Sequence, residues 1–357
     1  MQAIQTAIVG AGLWGRAHAD VYHEHPQVRL IAICDRNVER AQALAAAYGI
    51  ERVYSDVDAM LAAGGFDAVS IVTPDHLHAD IAVKCAGAKK HMLIEKPLAT
   101  TREDVFRIVE AARQNQVRVM VDMHNRWNPP FAEARRMIEN GELGSIRSAY
   151  LRLDDVRRVA TDMLSWASRS SVLWFLGSHS LDLLQWLVGS RVKRVYAVSS
   201  RGVLASQNVS SEDVFQITLE FENGSIAQME NGWITPNAYP RANDMKCSLS
   251  GDKGLLSIDT GSHNLIQLYS DQKASVPDIL ARNVIHGHTA GFAYESIRSF
   301  AEALLHNKPF AVSLDEAASV SLAILAIMES ARTHQPVTVD YGMLAHPSAQ
   351  IDNKYAR

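Results

Sequence analysis

Short apolar runs alternate with amphipathic stretches through the first third of the chain. IQTAIVG (4–10) is apolar and ends in glycine, which predicts a buried strand, and WGRAHADVYHEH (14–25) has helical spacing. The alternation continues through VRLIAICD (28–35), a strand, and NVERAQALAAAYG (37–49), a helix with Gly49 as its C-cap. FDAVSIVTP (66–74), KHMLIEKP (90–97) and VRVMVDMH (117–124) read as further strands. HLHADIAVKCAGA (76–88) and TREDVFRIVEAARQNQ (101–116) read as the helices between them. Strands that are apolar throughout and separated by helices predict a parallel sheet covered on both faces.

The pattern changes near residues 120–127. After the helical PPFAEARRMIENGELG (129–144), strands are predicted in IRSAYLRLDD, VKRVYAVSSR, DVFQITLEFENGSIAQMENGW, MKCSLSGDKGLLSID and NLIQLYS. FENGSI and SGDKGLL carry hairpin turn residues, so this second sheet is expected to be mainly antiparallel. Helices around 292–307 and 314–334 follow. The expected layout is an α/β domain over 1–123, an α+β domain over 124–340 and a tail over 341–357. That division agrees with a length of 357 residues, enough for two cores.

Composition narrows the function classes. The chain is 47% hydrophobic and 21% charged, with net charge −4 and no block of like charge, which argues against a nucleic-acid partner. No apolar run is long enough to span a membrane, and the start shows no signal-peptide pattern. Cys34, Cys85 and Cys247 form no metal or disulfide spacing, as expected of a cytoplasmic protein with buried thiols.

Gly10, Gly12 and Gly15 have GxGxxG spacing between a strand and a helix, the context of a dinucleotide site. Gly10 permits the tight turn, Gly12 admits a pyrophosphate, and Gly15 lets the helix pack closely. The helix opening at Leu13 and Trp14 offers unpaired N–H groups to phosphate. Asp35 follows Gly15 by 20 residues and is placed to accept the ribose hydroxyls, which favours NAD over NADP. Adjacent Arg36 is placed to stack on adenine or reach a phosphate.

Glu95 and Lys96 end the fifth strand, and Thr73 and Pro74 end the fourth, where open parallel sheets bind ligands. On position alone, Lys96 is either a proton shuttle with a lowered pKa or half of a surface ion pair. His179 and Asp182 lie one helical turn apart in the apolar VLWFLGSHSLDLLQWLVG (172–189).

In order along the chain, VGAGLWG, TPDHLH, LIEKPLA, NRWNP, GELG, GSHSLD and SGDKGLLSID resemble the glucose-fructose oxidoreductase/inositol dehydrogenase/rhizopine-catabolism (Gfo/Idh/MocA) family. The resemblance implies a Rossmann domain, then a large open-faced, mainly antiparallel sheet through which homodimers or homotetramers form. It implies hydride transfer between NAD(P) and a sugar or cyclic polyol, with Lys96 as general acid/base and Lys96–Pro97 often cis; with Asp35, the expectation is an NAD-dependent dehydrogenase of a sugar, sugar acid or cyclitol. Glu95, Thr73, Pro74 and His78 would line the cofactor, although His78 reads equally as a buried structural histidine. Asn125 and Arg126 would border nicotinamide and substrate, with an interdomain ion pair the plainer role for Arg126. His179 would share the proton task near a helix N-terminus whose dipole disfavours imidazolium, and Asp182 would fix its tautomer or bind a hydroxyl.

Three departures stand out. Phe175 occupies a position where many relatives carry aspartate, so Asp154 or Asp155 is a candidate substitute, and only one of two strand neighbours points inward. Asp122 and His124 replace the family's usual glycine and phenylalanine, and His124 either adds a polar contact or fills space. Arginines including Arg152, Arg169 and Arg241 would favour an anionic substrate if two converge. Trp166, Trp174 and Trp233 are candidates to stack on a sugar ring. No metal ligand spacing is present. Two other functions fit the same signals: an NAD-retaining hydrolase or lyase working through transient sugar oxidation, and a non-catalytic NAD-binding sensor.

Overall fold

In the computed structural model, residues 3–261, 265–272, 274–342 and 344 are described. Most of the expected tail, and Asn264 of the expected NLIQLYS strand, lie outside the described residues. Six strands form the first sheet: β1 (Ile4–Val9), β2 (Val28–Cys34), β3 (Arg52–Tyr54), β4 (Ala68–Ile71), β5 (His91–Ile94) and β6 (Val119–Val121). They pair in parallel in the order β3-β2-β1-β4-β5-β6. Helices α1 (Leu13–Glu24), α2 (Val38–Tyr48), α3 (Val57–Ala63), α4 (His78–Gly87) and α5 (Arg102–Gln114) cover it. This is the doubly wound dinucleotide-binding topology, whose strand order reverses between β1 and β4. The hydrophobic pattern did not single out β3 and α3, which are too short to show a period.

After α6 (Pro129–Glu139) come β7 (Ile146–Val156), α7 (Ser178–Val188), β8 (Val192–Ser200), β9 (Val214–Phe221), β10 (Ile226–Thr235), β11 (Asn243–Gly251) and β12 (Leu255–Asp259). Four two- or three-residue strands follow, β13 (Leu268–Tyr269), β14 (Ala274–Ser275), β15 (Asn283–Ile285) and β16 (His288–Ala290), and then α8 (Phe292–Leu305), α9 (Leu314–Thr333) and β17 (Val337–Thr338). The second sheet runs β12-β11-β7-β10-β9-β8-β17, antiparallel except where β10 lies parallel to β7. Of the expected NLIQLYS strand only Leu268–Tyr269 pairs, with Ala274–Ser275, and it stays outside the large sheet. Leu265, Ile266, Leu268 and Tyr269 are all exposed, so no apolar face holds this segment against a core.

One face of the second sheet packs on α7 and α9; the other presents Tyr196, Val198, Ile226 and Leu255 to solvent. Helix α8 returns to pack against α1 and β1, and α9 contacts α5, α7, β6 and β8. A capping box between Ser313 and Glu316 starts α9. The three cysteines are buried free thiols. Among the described residues, no helix is long and apolar enough to cross a membrane.

Candidate active site

A cleft of about 1160 Å³ opens where the C-terminal ends of the first sheet's strands face β7 and α7. Its cofactor-side wall is the turn after β1. Gly10 adopts φ +110°, and a Cβ there would lie 2.3 Å from the Val72 carbonyl oxygen. A Cβ on Gly15 would lie 2.0 Å from the Gly10 oxygen, so Gly15 serves packing and does not line the cleft. Gly12 has nothing within 4 Å of its Cβ position, which leaves room for a ligand, and no side chain caps α1. Leu13, Trp14, Asp35, Arg36, Thr73, Pro74 and Asn125 also line the space. Asp35 accepts the Ala11 and Asn37 backbone N–H groups at 2.7 and 2.8 Å, which holds its carboxylate at the end of β2. An open glycine turn, an uncapped helix end and an anchored carboxylate fit a dinucleotide.

At the other end, Lys96, His124, Asp155, Phe175 and His179 converge. Lys96 follows β5, and its peptide bond to Pro97 is cis. Its ammonium donates to the Phe175 carbonyl at 2.9 Å and lies 4.1 Å from the centroid of that ring. Phe175 therefore holds the lysine with its backbone and π face, contacts available without a carboxylate. Burial lowers the Lys96 pKa against the opposing pull of Glu95, Asp75, Asp155 and Asp122.

Helical backbone already runs from Leu173 through a wide π-type turn into α7, so His179 does not sit at a free helix end. Its pKa is nonetheless held well below the ordinary value, by burial first and then by His124 and Lys96. The dipole expected from the sequence is not needed.

On β7, Leu153 and Asp155 face the cleft, while Arg152 and Asp154 alternate to the opposite face. Arg152 Nε donates to Asp154 Oδ2 at 2.6 Å, with Glu230 and Asp244 nearby. Of the candidates for substrate contact on this strand, Arg152 and Asp154 therefore turn away from the cleft, and Asp155 is the inward carboxyl. The signal was present in the sequence, because Leu151 and Leu153 share its face. Burial pushes the Asp155 carboxyl up to about 7. A raised acid contributes stability below its ordinary value of 3.8 and loses it as pH rises through about 7. Asp155→Asn is accordingly expected to unfold at higher urea than the parent near about pH 8, with the gain vanishing near about pH 4. Equal midpoints at both pH values would exclude a titrating buried carboxyl.

Other expected positions fall outside the cleft. Asp182 does not orient His179: its two oxygens accept from Arg126 Nε and Nη2 at 2.9 and 2.7 Å. Arg126 also donates to the Ala311 carbonyl and to Glu316, so it ties the segment after β6 to α7 and α9 and does not border the cofactor space. His78 lies between the Pro97 and Thr73 carbonyl oxygens at 2.8 and 2.9 Å and locks the two strand ends together. Burial lowers its pKa, against the opposing pull of the two carbonyl oxygens and of Asp75 and Glu95. Glu95 is buried against His18 Nε2 at 3.3 Å. His18 in turn meets Ser70 at 3.0 Å, and Ser70 meets Tyr22 at 2.7 Å. Trp174 lines a side pocket of about 70 Å³ with Lys96, Glu95 and Trp166, not the main cleft. Trp233 is core, whereas Trp166, Arg169 and Arg241 do reach the cleft. Among the described residues one His/Asp/Glu group is close enough to chelate an ion: His18, Glu95 and Asp122, buried below the cleft. His18 meets Glu95 and Ser70, and Asp122 accepts from Ser296.

A doubly wound sheet with a glycine turn and a lysine at the end of β5, closed by an open-faced second domain, defines a two-domain nicotinamide-dependent oxidoreductase. Residues 4–123 match the family described as "Oxidoreductase family, NAD-binding Rossmann fold", and residues 131–257 match "GFO/IDH/MocA C-terminal domain". The chain belongs to the Gfo/Idh/MocA family and is an NAD-binding oxidoreductase. It is 30% identical to levoglucosan dehydrogenase of Pseudarthrobacter phenanthrenivorans, over 75% of this chain and 76% of that one. It is 27% identical to scyllo-inositol 2-dehydrogenase (NAD(+)) of Bacillus subtilis, over 94% and 96%. Scyllo-inositol dehydrogenase from Lactobacillus casei, solved with NAD(H) and scyllo-inositol, shares the fold at TM-score 0.80 and 19% identity, over 95% of this chain and 99% of that one.

Proposed function

We propose that this protein oxidises a hydroxyl of a sugar, sugar acid or cyclitol with NAD. The observation that carries the reading is the convergence of Lys96, Asp155 and His179 at one end of the cleft. Levoglucosan and scyllo-inositol, named for two relatives, support a ring-polyol substrate. Bound NAD supplies the hydride acceptor. Lys96, neutral at the moment of reaction, takes the hydroxyl proton, and its lowered pKa suits that role. His179 stays neutral and hydrogen-bonds the same or the adjacent oxygen. Asp155 supplies the carboxyl absent at Phe175 and draws the Lys96 ammonium toward the cleft.

Gly10, Gly12, Leu13 and Trp14 would surround the pyrophosphate, Asp35 and Arg36 the adenosine end, and Thr73, Pro74 and Asn125 the nicotinamide side. Arg169 and Arg241 in the cleft favour including acidic sugars among the candidates. The apolar residues exposed on the second sheet favour a homodimer or homotetramer, and the setting is cytoplasmic.

The test is NADH absorbance over a panel of inositols, aldoses, glycosides and uronates. The expected result is NADH formed in proportion to product with at least one of them. NADP is expected to be roughly tenfold or more poorer, because Asp35 repels a 2′-phosphate. Product released without NADH accumulation would instead indicate a hydrolase or lyase that recycles its cofactor. Tight NAD binding with no turnover of any compound would indicate a sensor.

A further inference from the structure

The segment after β6 places a second acid–imidazole pair beside the site. Asp122 is completely buried; its Oδ1 accepts the Ser296 hydroxyl, while its Oδ2 has no hydrogen-bond partner. His124 Nδ1 is also buried without a partner and lies 3.9 Å from that oxygen. The two orphaned atoms are complementary, one donor and one acceptor, and a small ring rotation joins them. The His124 ring stacks on Trp14 at 5.2 Å, lies 5.6 Å from Phe292 and sits 4.4 Å from the His179 ring, with all three of these neighbours lining the cleft alongside it.

An aromatic ring would fill this space without any carboxylate. A buried carboxylate is costly to keep unless it is engaged, so its placement at Nδ1 calls for a role. With Nδ1–H directed at Asp122, the opposite ring nitrogen, Nε2, is left as an acceptor. Lys96 and His179 serve the reacting hydroxyl. The adjacent imidazole is close enough to take the neighbouring one.

We propose that Asp122 orients His124 so that its Nε2 accepts a hydrogen bond from the substrate hydroxyl vicinal to the one oxidised. This makes His124 a further substrate-binding residue and Asp122 its positioning residue. It rests on the polyol dehydrogenase reading above and specifies the substrate as a vicinal diol. The groups facing His124 are Asp122 from its own segment, Trp14 from α1, Phe292 from α8 and His179 from α7. Lys96 beyond β5 and Asp155 on β7 share the cleft, and His18 and Glu95 lie beneath Asp122. Burial pushes Asp122 up, but His124, His18 and Ser296 outweigh it and hold the carboxyl below its ordinary value, consistent with a carboxylate.

The experiment uses the whole protein with NAD and the polyol it oxidises fastest. His124→Phe keeps the ring stacking and Asp122→Asn keeps the shape. Each is expected to lower kcat/KM at least tenfold, mostly through KM, with NAD affinity within about twofold. Preference for that polyol over its analogue deoxygenated next to the reacting carbon should collapse in His124→Phe and recover in part in His124→Gln. A second readout needs no turnover: nitrogen NMR of labelled histidine should show His124 as the Nδ1–H tautomer, altered by Asp122→Asn. Turnover by the parent with unchanged kcat/KM and selectivity in both variants, or an Nε2–H tautomer in the parent, overturns this proposal alone. A parent that oxidises no polyol overturns the dehydrogenase reading, and the substrate role of His124 with it.

Discussion

Lys96→Ala is expected to lower kcat/KM for polyol oxidation by roughly 10²–10⁴, the usual worth of a positioned general base, with little change in NAD affinity. The residue follows β5 inside the cleft, and its ammonium is held by the Phe175 carbonyl and ring. Removing it deletes the group that takes the proton without disturbing the glycine turn after β1. The pH profile gives an independent readout. Oxidation needs the neutral amine, so parental kcat/KM should rise with pH and level off at the Lys96 pKa, which burial sets below the ordinary 10.5. That limb should vanish in Lys96→Ala. Lys96→Arg keeps the charge but cannot release its proton near neutrality, so it should be nearly as poor. Unaltered turnover in the alanine variant would defeat the catalytic reading.

The second large effect is on stability. Arg126→Met is expected to cost about 3–5 kcal/mol, read as a lowered urea midpoint. Arg126 is buried and gives both oxygens of Asp182 a hydrogen bond, with further bonds to Ala311 and Glu316. Without it, Asp182 is a buried charge with no counter-ion. Adding Asp182→Leu should recover much of the loss, because the penalty lies in the unpaired partner. A loss of unfolding free energy below about 1 kcal/mol would show that the pair does not join the segment after β6 to α7 and α9.

The order of strands and helices, the glycine turn and the placement of Lys96 were legible because each depends on local periodicity or short-range spacing. Gly10 and Gly15 illustrate the point: φ +110° and a helix–strand approach closer than any side chain permits leave no other residue, so the sequence carries the geometry. Even the choice of Asp155 over Asp154 was implicit in the alternation with Leu151 and Leu153. The partners of buried charge were not legible. Asp182 is one turn from His179 yet belongs to Arg126, which lies 56 positions away in sequence, and no local rule ranks a neighbour above a distant guanidinium. The same holds for Phe175, which read as a lost acid and proves to clasp Lys96 with its own carbonyl and ring. The sequence by itself determined which groups capable of acid–base chemistry exist and on which elements they ride. Only the tertiary structure decided which of them face one another across the cleft, because desolvation and pairing depend on segments far apart in sequence that meet only in the folded chain.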